Sequence, residues 1–273
     1  MTFLQKLNNN IAKNNSLLCI GLDTDINKIP RDLLGLENPT FAFNKKIIDE
    51  TVNLVSCYKL NIAYYSASGI SGINSLQRTI EYINDTYPNT PVILDAKRAD
   101  VGSTSEQYAK EAFEVFKADA VTVNPYLGLD SIEPFLKYRD KGVIILCKTS
   151  NSGSFEFQDL KVENEPLYLK VAKKIQEWDK QYKNCLMVVG ATYPEELKSI
   201  RDIAPDMFFL VPGIGKQGGD LEKTLKLGLT KIKSGLIIHS ARAIIYASNS
   251  ADFAEKAKEE AEKLKEEINN YRK

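Results

Sequence analysis

Eight short apolar runs rich in β-branched residues punctuate the chain, at residues 17–22, 55–62, 92–94, 120–123, 143–147, 186–189, 208–211 and 236–238. Between them apolar residues recur at spacings of three and four, as in 41–54, 70–83, 106–116, 166–178 and 194–203, which is the period of a helix. The tail from Asp252 places Phe253, Ala257, Leu264, Ile268 and Tyr271 on one face and sets Glu259 four residues before Lys263 on another, so it reads as a closing helix. Eight strands alternating with helices predict parallel βαβ units. A closed (β/α)8 barrel, the α/β TIM-barrel class, accounts for all of them in one domain over residues 1–273. A doubly wound open sheet is the alternative. It more usually carries GxGxxG after its first strand, whereas here that strand runs into Gly21-Leu22-Asp23-Thr24-Asp25.

Composition narrows the function classes. Lys plus Arg and Asp plus Glu both count 36, so no global field draws in nucleic acid or an anionic membrane, and neither is expected as a partner. No apolar run reaches the roughly 18 residues of a spanning helix. The N-terminal segment shows no basic stretch followed by an apolar one, which predicts no secretory signal and a cytoplasmic protein. Cys19, Cys57, Cys147 and Cys185 lie far apart, each in a strand-like run, and read as small core residues. With no CxxC pair and His239 as the only histidine, a zinc site or a His-activated nucleophile lacks most of its parts. No metal and no organic cofactor are expected, and the chemistry falls to Lys, Asp, Arg and hydroxyls.

Barrels of this kind place their chemistry at the C-terminal ends of the strands. There the sequence delivers Asp23, then Lys59 and Asn61, then Asp95 and Lys97 with Asp100 just beyond, then Lys148, Thr149 and Ser150. Asp95 and Lys97 are two residues apart, as are Lys59 and Asn61, so strand alternation predicts that each pair projects to one side. Such groups form either a structural ion-pair network or an active site, and their convergence on one rim favours the second. The seventh strand runs into Pro212-Gly213-Ile214-Gly215-Lys216-Gln217-Gly218-Gly219, and the eighth ends His239-Ser240-Ala241-Arg242. Glycines that admit backbone N–H groups to an anion, paired with a forked guanidinium in the next loop, favour phosphate binding over a plain turn and a surface arginine. The non-periodic stretch 150–164 suits either a lid or a surface loop that packs Phe155 and Phe157.

At Asp95-Ala96-Lys97-Arg98-Ala99-Asp100-Val101 the chain resembles the DxKxxD motif of the orotidine 5′-phosphate decarboxylase family. The likeness continues in order through Leu22-Asp23, Lys59-Leu60-Asn61, Thr149-Ser150-Asn151, the segment 212–220 and Ser240-Ala241-Arg242-Ala243-Ile244-Ile245-Tyr246. Length and the Lys59-Leu60-Asn61-Ile62-Ala63 segment are similar to the longer branch found in some bacteria and in apicomplexan parasites. Ala99 stands where glycine is expected in that branch.

The resemblance implies conversion of orotidine 5′-phosphate to UMP and CO2 in pyrimidine synthesis, with catalytic residues Lys97, Asp95, Asp100 and Lys59. It implies that Asp23 and Lys59 contact ribose hydroxyls beside Asn61, that Asp95 faces the substrate carboxylate, and that Lys97 protonates the carbon losing CO2. Asp100 and Thr104 would come from the second subunit of a homodimer with shared sites. Thr149 and Pro212 would line the substrate, Ser150 would bond the pyrimidine and Gln217 would bridge base and phosphate. Arg242 would bind the phosphate, and Gly218 and Ala241 would also contact the substrate. Two rivals are a sugar-phosphate decarboxylase or aldolase of the same suprafamily and an inactive phosphate-ligand-binding homologue. Ser150, Gln217 and a single histidine speak against the first, and retention of all four of Lys59, Asp95, Lys97 and Asp100 against the second.

Overall fold

The computed structural model describes residues 1–214 and 220–272. Eight strands close into an all-parallel barrel: β1 Leu18–Gly21, β2 Cys57–Asn61, β3 Val92–Arg98, β4 Ala120–Val123, β5 Gly142–Lys148, β8 Cys185–Val189, β9 Phe209–Val211 and β10 Leu236–Ser240. Neighbours follow chain order around the ring, and β1 pairs with both β2 and β10, so the sheet has no edge. The open-sheet alternative is thereby excluded. Two short antiparallel strands, β6 Lys161–Val162 and β7 Glu165–Pro166, stand outside the barrel in the connection after β5.

The helices between strands include α2 Pro39–Thr51, α4 Gly69–Thr86, α5 Gly102–Lys110, α7 Leu167–Tyr182, α8 Pro194–Ile203 and α9 Leu221–Gly228. A short α3, Ile62–Ser66, follows β2 directly, α6 Leu129–Leu136 follows β4, α10 Arg242–Ile245 follows β10, and α11 Phe253–Asn270 closes the chain. Strand interiors are almost wholly buried Val, Ile, Leu and Cys, as parallel strands covered on both faces require. All four cysteines are buried and free. In α11 the buried stripe is Phe253, Ala257, Ala261 and Ile268, whereas Glu259 pairs with Lys256 and Lys263 with Glu260 rather than with each other. The helix expected over 106–116 passes into a π-turn at Glu111–Val115, beside the Arg98–Glu111 ion pair. Among the described residues no helix is long and apolar enough to cross a membrane.

An N-terminal helix, α1 Phe3–Asn14, closes the end of the barrel opposite the charged rim and buries Phe3, Leu7 and Ile11. Thr2 and Gln5 form its capping box. Phe3 packs where Gly142, at the start of β5, leaves room: a Cβ there would lie 2.4 Å from the ring. Asn10 and Asn14 donate to the backbone carbonyls of Val52, Val55 and Ser56, and Lys6 pairs with Asp119 at 2.7 Å. The charged strand ends open at the other end.

Candidate active site

Asp95 is the hub of the C-terminal rim. It is 7% exposed, and each carboxylate oxygen has partners from other strands. Oδ1 accepts from Lys97 Nζ at 2.6 Å and from Thr122 Oγ1 on β4 at 2.8 Å. Oδ2 accepts from Lys59 Nζ at 2.7 Å and from Asn61 Nδ2 at 3.5 Å on β2. Lys59, 3% exposed, also faces Asp23 Oδ1 at 3.6 Å. Two ammoniums and two carboxylates therefore interlock across three strands. Burial alone would raise the Asp95 pKa, but the Lys59 and Lys97 charges outweigh it and hold the carboxyl well below the usual range. Burial would likewise lower that of Lys59, yet Asp95 and Asp23 hold it above its ordinary value. Both groups stay charged at neutral pH.

Each member is positioned by its local backbone. Asp23 lies just past β1, where its Oδ1 accepts from the Asn61 N–H. Behind it a buried polar network holds the turn: Tyr65 donates to the Leu22 carbonyl, Asn44 donates to Tyr65 and Thr79, and Thr24 donates to Asn44. Asn61 caps α3 by accepting from the Ala63 N–H. Lys97 departs from regular strand geometry. Its φ is 48°, and the β3–β4 register shifts between Leu94 and Arg98. Lys97 and Asp95 therefore meet because a bulge redirects the chain rather than because of simple alternation, and the Lys97 N–H is fixed by Thr122 Oγ1. Ala99 is absent from the left-handed region, so no glycine is needed there.

The cluster opens into a cavity of about 380 Å³ lined by Asp23, Lys59, Asn61, Asp95, Lys97, Thr122, Thr149, Ser150, Pro212 and His239, among others. A second cavity, of about 200 Å³, holds Arg242, Ala241, Gly213 and Tyr64. Asp23, Asn61, Pro212 and His239 line both. Ser150 is drawn in by Gly190 at the end of β8, where a Cβ would lie 2.8 Å from the Ser150 backbone. Arg242 is exposed, and its guanidinium makes no hydrogen bond or ion pair with any described residue.

Asp23, Lys59, Asn61, Asp95, Lys97, Thr149, Ser150 and Pro212 thus share one cavity, and Ala241 and Arg242 the adjoining one. Asp100 and Thr104 stand apart. Asp100 turns its carboxylate to the Val101 N–H at 2.7 Å and forms no ion pair with Lys97, and Thr104 is exposed on α5. Gln217 and Gly218 lie outside the described residues. Lys148 is 1% exposed; its Nζ pairs with Asp159 and, at 3.4 Å, with Glu196, between the rings of Tyr168 and Tyr193. It anchors the 150–160 connection, as does Gln158, which bonds Thr149 twice. Phe155 and Phe157 in that connection are exposed rather than packed. Thr122 and His239 join this site without a strong sequence signature; a lone hydroxyl within an apolar strand and a chain's single imidazole at a strand end are the only signals they carry. Among the described residues no group of three or more His, Cys, Asp or Glu could hold a metal ion.

Residues 16–257 match the model of the "Orotidine 5'-phosphate decarboxylase / HUMPS family". An orotidine 5′-phosphate decarboxylase of Cellvibrio japonicus is 55% identical over 245 residues, 89% of either chain. The structure of Leishmania donovani OMP decarboxylase superposes with a TM-score of 0.85 at 37% identity, covering 100% of this chain and 99% of that one. Leishmania donovani UMP synthase superposes with a TM-score of 0.88 at 38% identity; this chain covers 57% of its length.

Proposed function

The chain belongs to the orotidine 5′-phosphate decarboxylase / HUMPS family, and on that footing we infer that it converts orotidine 5′-phosphate to UMP and CO2 in pyrimidine synthesis. The observation that carries this reading is the Lys59–Asp95–Lys97 array with Asp23, set in a cavity that adjoins the one holding Arg242. The two cavities suit the two ends of one nucleotide.

The chemistry explains the residue types. Breaking the bond between C6 of the pyrimidine and its carboxylate leaves the electron pair on C6, which has no adjacent carbonyl to take it. The site must stabilise that localised charge, and a fixed ammonium does so. In our reading the Lys97 ammonium faces C6 and delivers the proton that completes UMP, while CO2 leaves from beside Asp95. Because Asp95 already has Lys59, Thr122 and Asn61 around it, Lys97 is aimed before substrate arrives and little reorganisation accompanies the step. Asp23 and Lys59 take ribose hydroxyls, with Asn61 beside them. Thr149, Ser150 and Pro212 face the base, Gln217 joins base to phosphate, Arg242 binds the phosphate, and Gly218 and Ala241 also contact the substrate.

The reading extends to assembly and place. Asp100, which forms no ion pair with Lys97 in its own chain, serves the partner's site in a homodimer, together with Thr104. Four free buried cysteines suit the reducing cytoplasm. An ultraviolet assay following loss of orotidine 5′-phosphate, run with and without exhaustive EDTA, tests the reaction: turnover should be equal in both. Turnover abolished by chelation and restored by a divalent ion would instead favour a metal-using sugar-phosphate enzyme, and none in either condition an inactive homologue.

A further inference from the structure

The wall between the two cavities is built from Asp23, Asn61, Pro212 and His239, which line both. A nucleotide with its phosphate at Arg242 and its base near Lys97 and Ser150 must lay its pentose across that wall. Of the four, Pro212 and His239 have no place in the ion-pair cluster, and of these two only His239 has a polar side chain. Its Nε2 is buried and has no hydrogen-bond partner among the described residues. Nε2 is closed off against Gly21, and Nδ1, which no described residue engages either, is the nitrogen left for a ligand in the cavities that the ring lines.

The backbone also makes room for the ring. His239 sits at the C-terminal end of β10 beside β1, and Gly21 there carries no side chain: a Cβ would lie 2.4 Å from Nε2 and 3.2 Å from Cε1. Burial first, and the Lys59 charge second, hold the imidazole pKa well below its ordinary value, which leaves one nitrogen to donate and one to accept at neutral pH. An uncharged group of this kind can meet a hydroxyl without disturbing the balance of Lys59, Lys97, Asp23 and Asp95.

We propose that His239 is a substrate-binding residue whose imidazole hydrogen-bonds a hydroxyl of the pentose lying across the junction of the two cavities. The proposal rests on the nucleotide reading of the site and deepens it. His239 acts in ground-state binding, so its removal raises KM more than it lowers kcat.

The chain's single histidine allows a direct test. A tag-free protein labelled with 15N-histidine gives the ring signals of His239 alone. UMP and ribose 5-phosphate should each shift them in the direction of hydrogen-bond formation, and inorganic phosphate should not. UMP binding seen by calorimetry without any change at the ring would overturn the proposal while leaving the decarboxylase reading intact. Failure of UMP to bind at all would overturn both. In parallel, His239→Ala should raise KM for orotidine 5′-phosphate about two- to tenfold, the range of one neutral hydrogen bond, and His239→Asn, which keeps a donor and an acceptor, should recover most of it. A KM unmoved in a folded His239→Ala protein would count against the contact, and if that variant does not fold the resonance measurement on the unmodified chain decides.

Discussion

Lys97 reaches Oδ1 of Asp95 at 2.6 Å from a backbone in the left-handed region, with φ at 48°. That conformation costs a non-glycine residue roughly 1–2 kcal/mol, and here it falls on the residue proposed to protonate the product. Strain of this kind persists where the surroundings over-determine the backbone. Thr122 supplies the restraint, accepting from the Lys97 N–H and donating to Asp95 with the same hydroxyl.

Stability and activity should therefore separate at this position. Lys97→Gly and Lys97→Ala both remove the ammonium, so both should lose turnover by at least the ~10²–10³-fold typical of one preorganised donor. Glycine alone accepts the backbone without strain. Chemical denaturation should find Lys97→Gly about 1 kcal/mol more stable than Lys97→Ala. Equal stabilities would mean that the left-handed geometry is not retained in solution.

Much of this site is legible in the order of residues along the chain. Strand ends of a closed barrel converge by geometry, so Asp23, Lys59, Asp95 and Lys97 group together from their positions alone. The bulge at Lys97 does not follow in that way, because register depends on the neighbouring strand, and alternation gives the right neighbour for the wrong reason. Thr122 is indistinguishable in sequence from any β-branched strand residue. Lys148 reads as a rim group, yet its partners Asp159 and Glu196 lie 11 and 48 positions away and reach it only through the β5 connection and α8. In α1 the stripe Phe3, Leu7 and Ile11 turns inward at helical spacing, but nothing in the sequence shows that Lys6, Asn10 and Asn14 turn inward beside it, because their partners are strand-end backbone and an aspartate distant in the chain.

Asp95→Asn should be costly in stability as well as in rate. The substitution leaves Lys59 buried with only Asp23, 3.6 Å away, as counter-charge, and breaking a buried pair from one side typically costs ~3–5 kcal/mol. The sign with pH follows from the depressed folded pKa. Ionised Asp95 contributes fully above the unfolded value of about 4, and that contribution is lost as pH falls toward the folded one. Urea unfolding of both proteins should show a gap that is widest near neutrality and narrows from about pH 4 downward. A gap constant from about pH 7 to about pH 3 would show that the charge of Asp95 does not support the fold.

Arg242 lies in the adjoining cavity, with a guanidinium that no described residue engages. If it serves the phosphate alone, Arg242→Ala should lower kcat/KM for orotidine 5′-phosphate by about 10- to 100-fold, as loss of charged hydrogen bonds does. Turnover of orotidine, which has no phosphate to lose, should change little. Equal losses on the two substrates would assign Arg242 to the fold of the β10 connection instead.

The placement of Asp100 leads to a counting experiment. Within one chain its carboxylate is turned to the Val101 N–H and forms no ion pair with Lys97, whose partner among the described residues is Asp95. If the second carboxylate comes from a two-fold-related copy, each site takes Lys97 from one chain and Asp100 from the other. Lys97→Ala and Asp100→Ala homodimers would then both be inactive. Mixed in equal amounts and fully exchanged, half of the dimers are hybrids, and in each hybrid one site carries both substitutions while the other carries neither. Activity should rise from near zero to about a quarter of the unsubstituted value, by symmetry alone. If Asp100 instead serves its own chain, every site in the mixture keeps one lesion. Absence of recovery, in a mixture shown by native mass spectrometry to contain hybrids, would rule out the shared site and require Asp100 to swing from Val101 toward Lys97 within a single subunit.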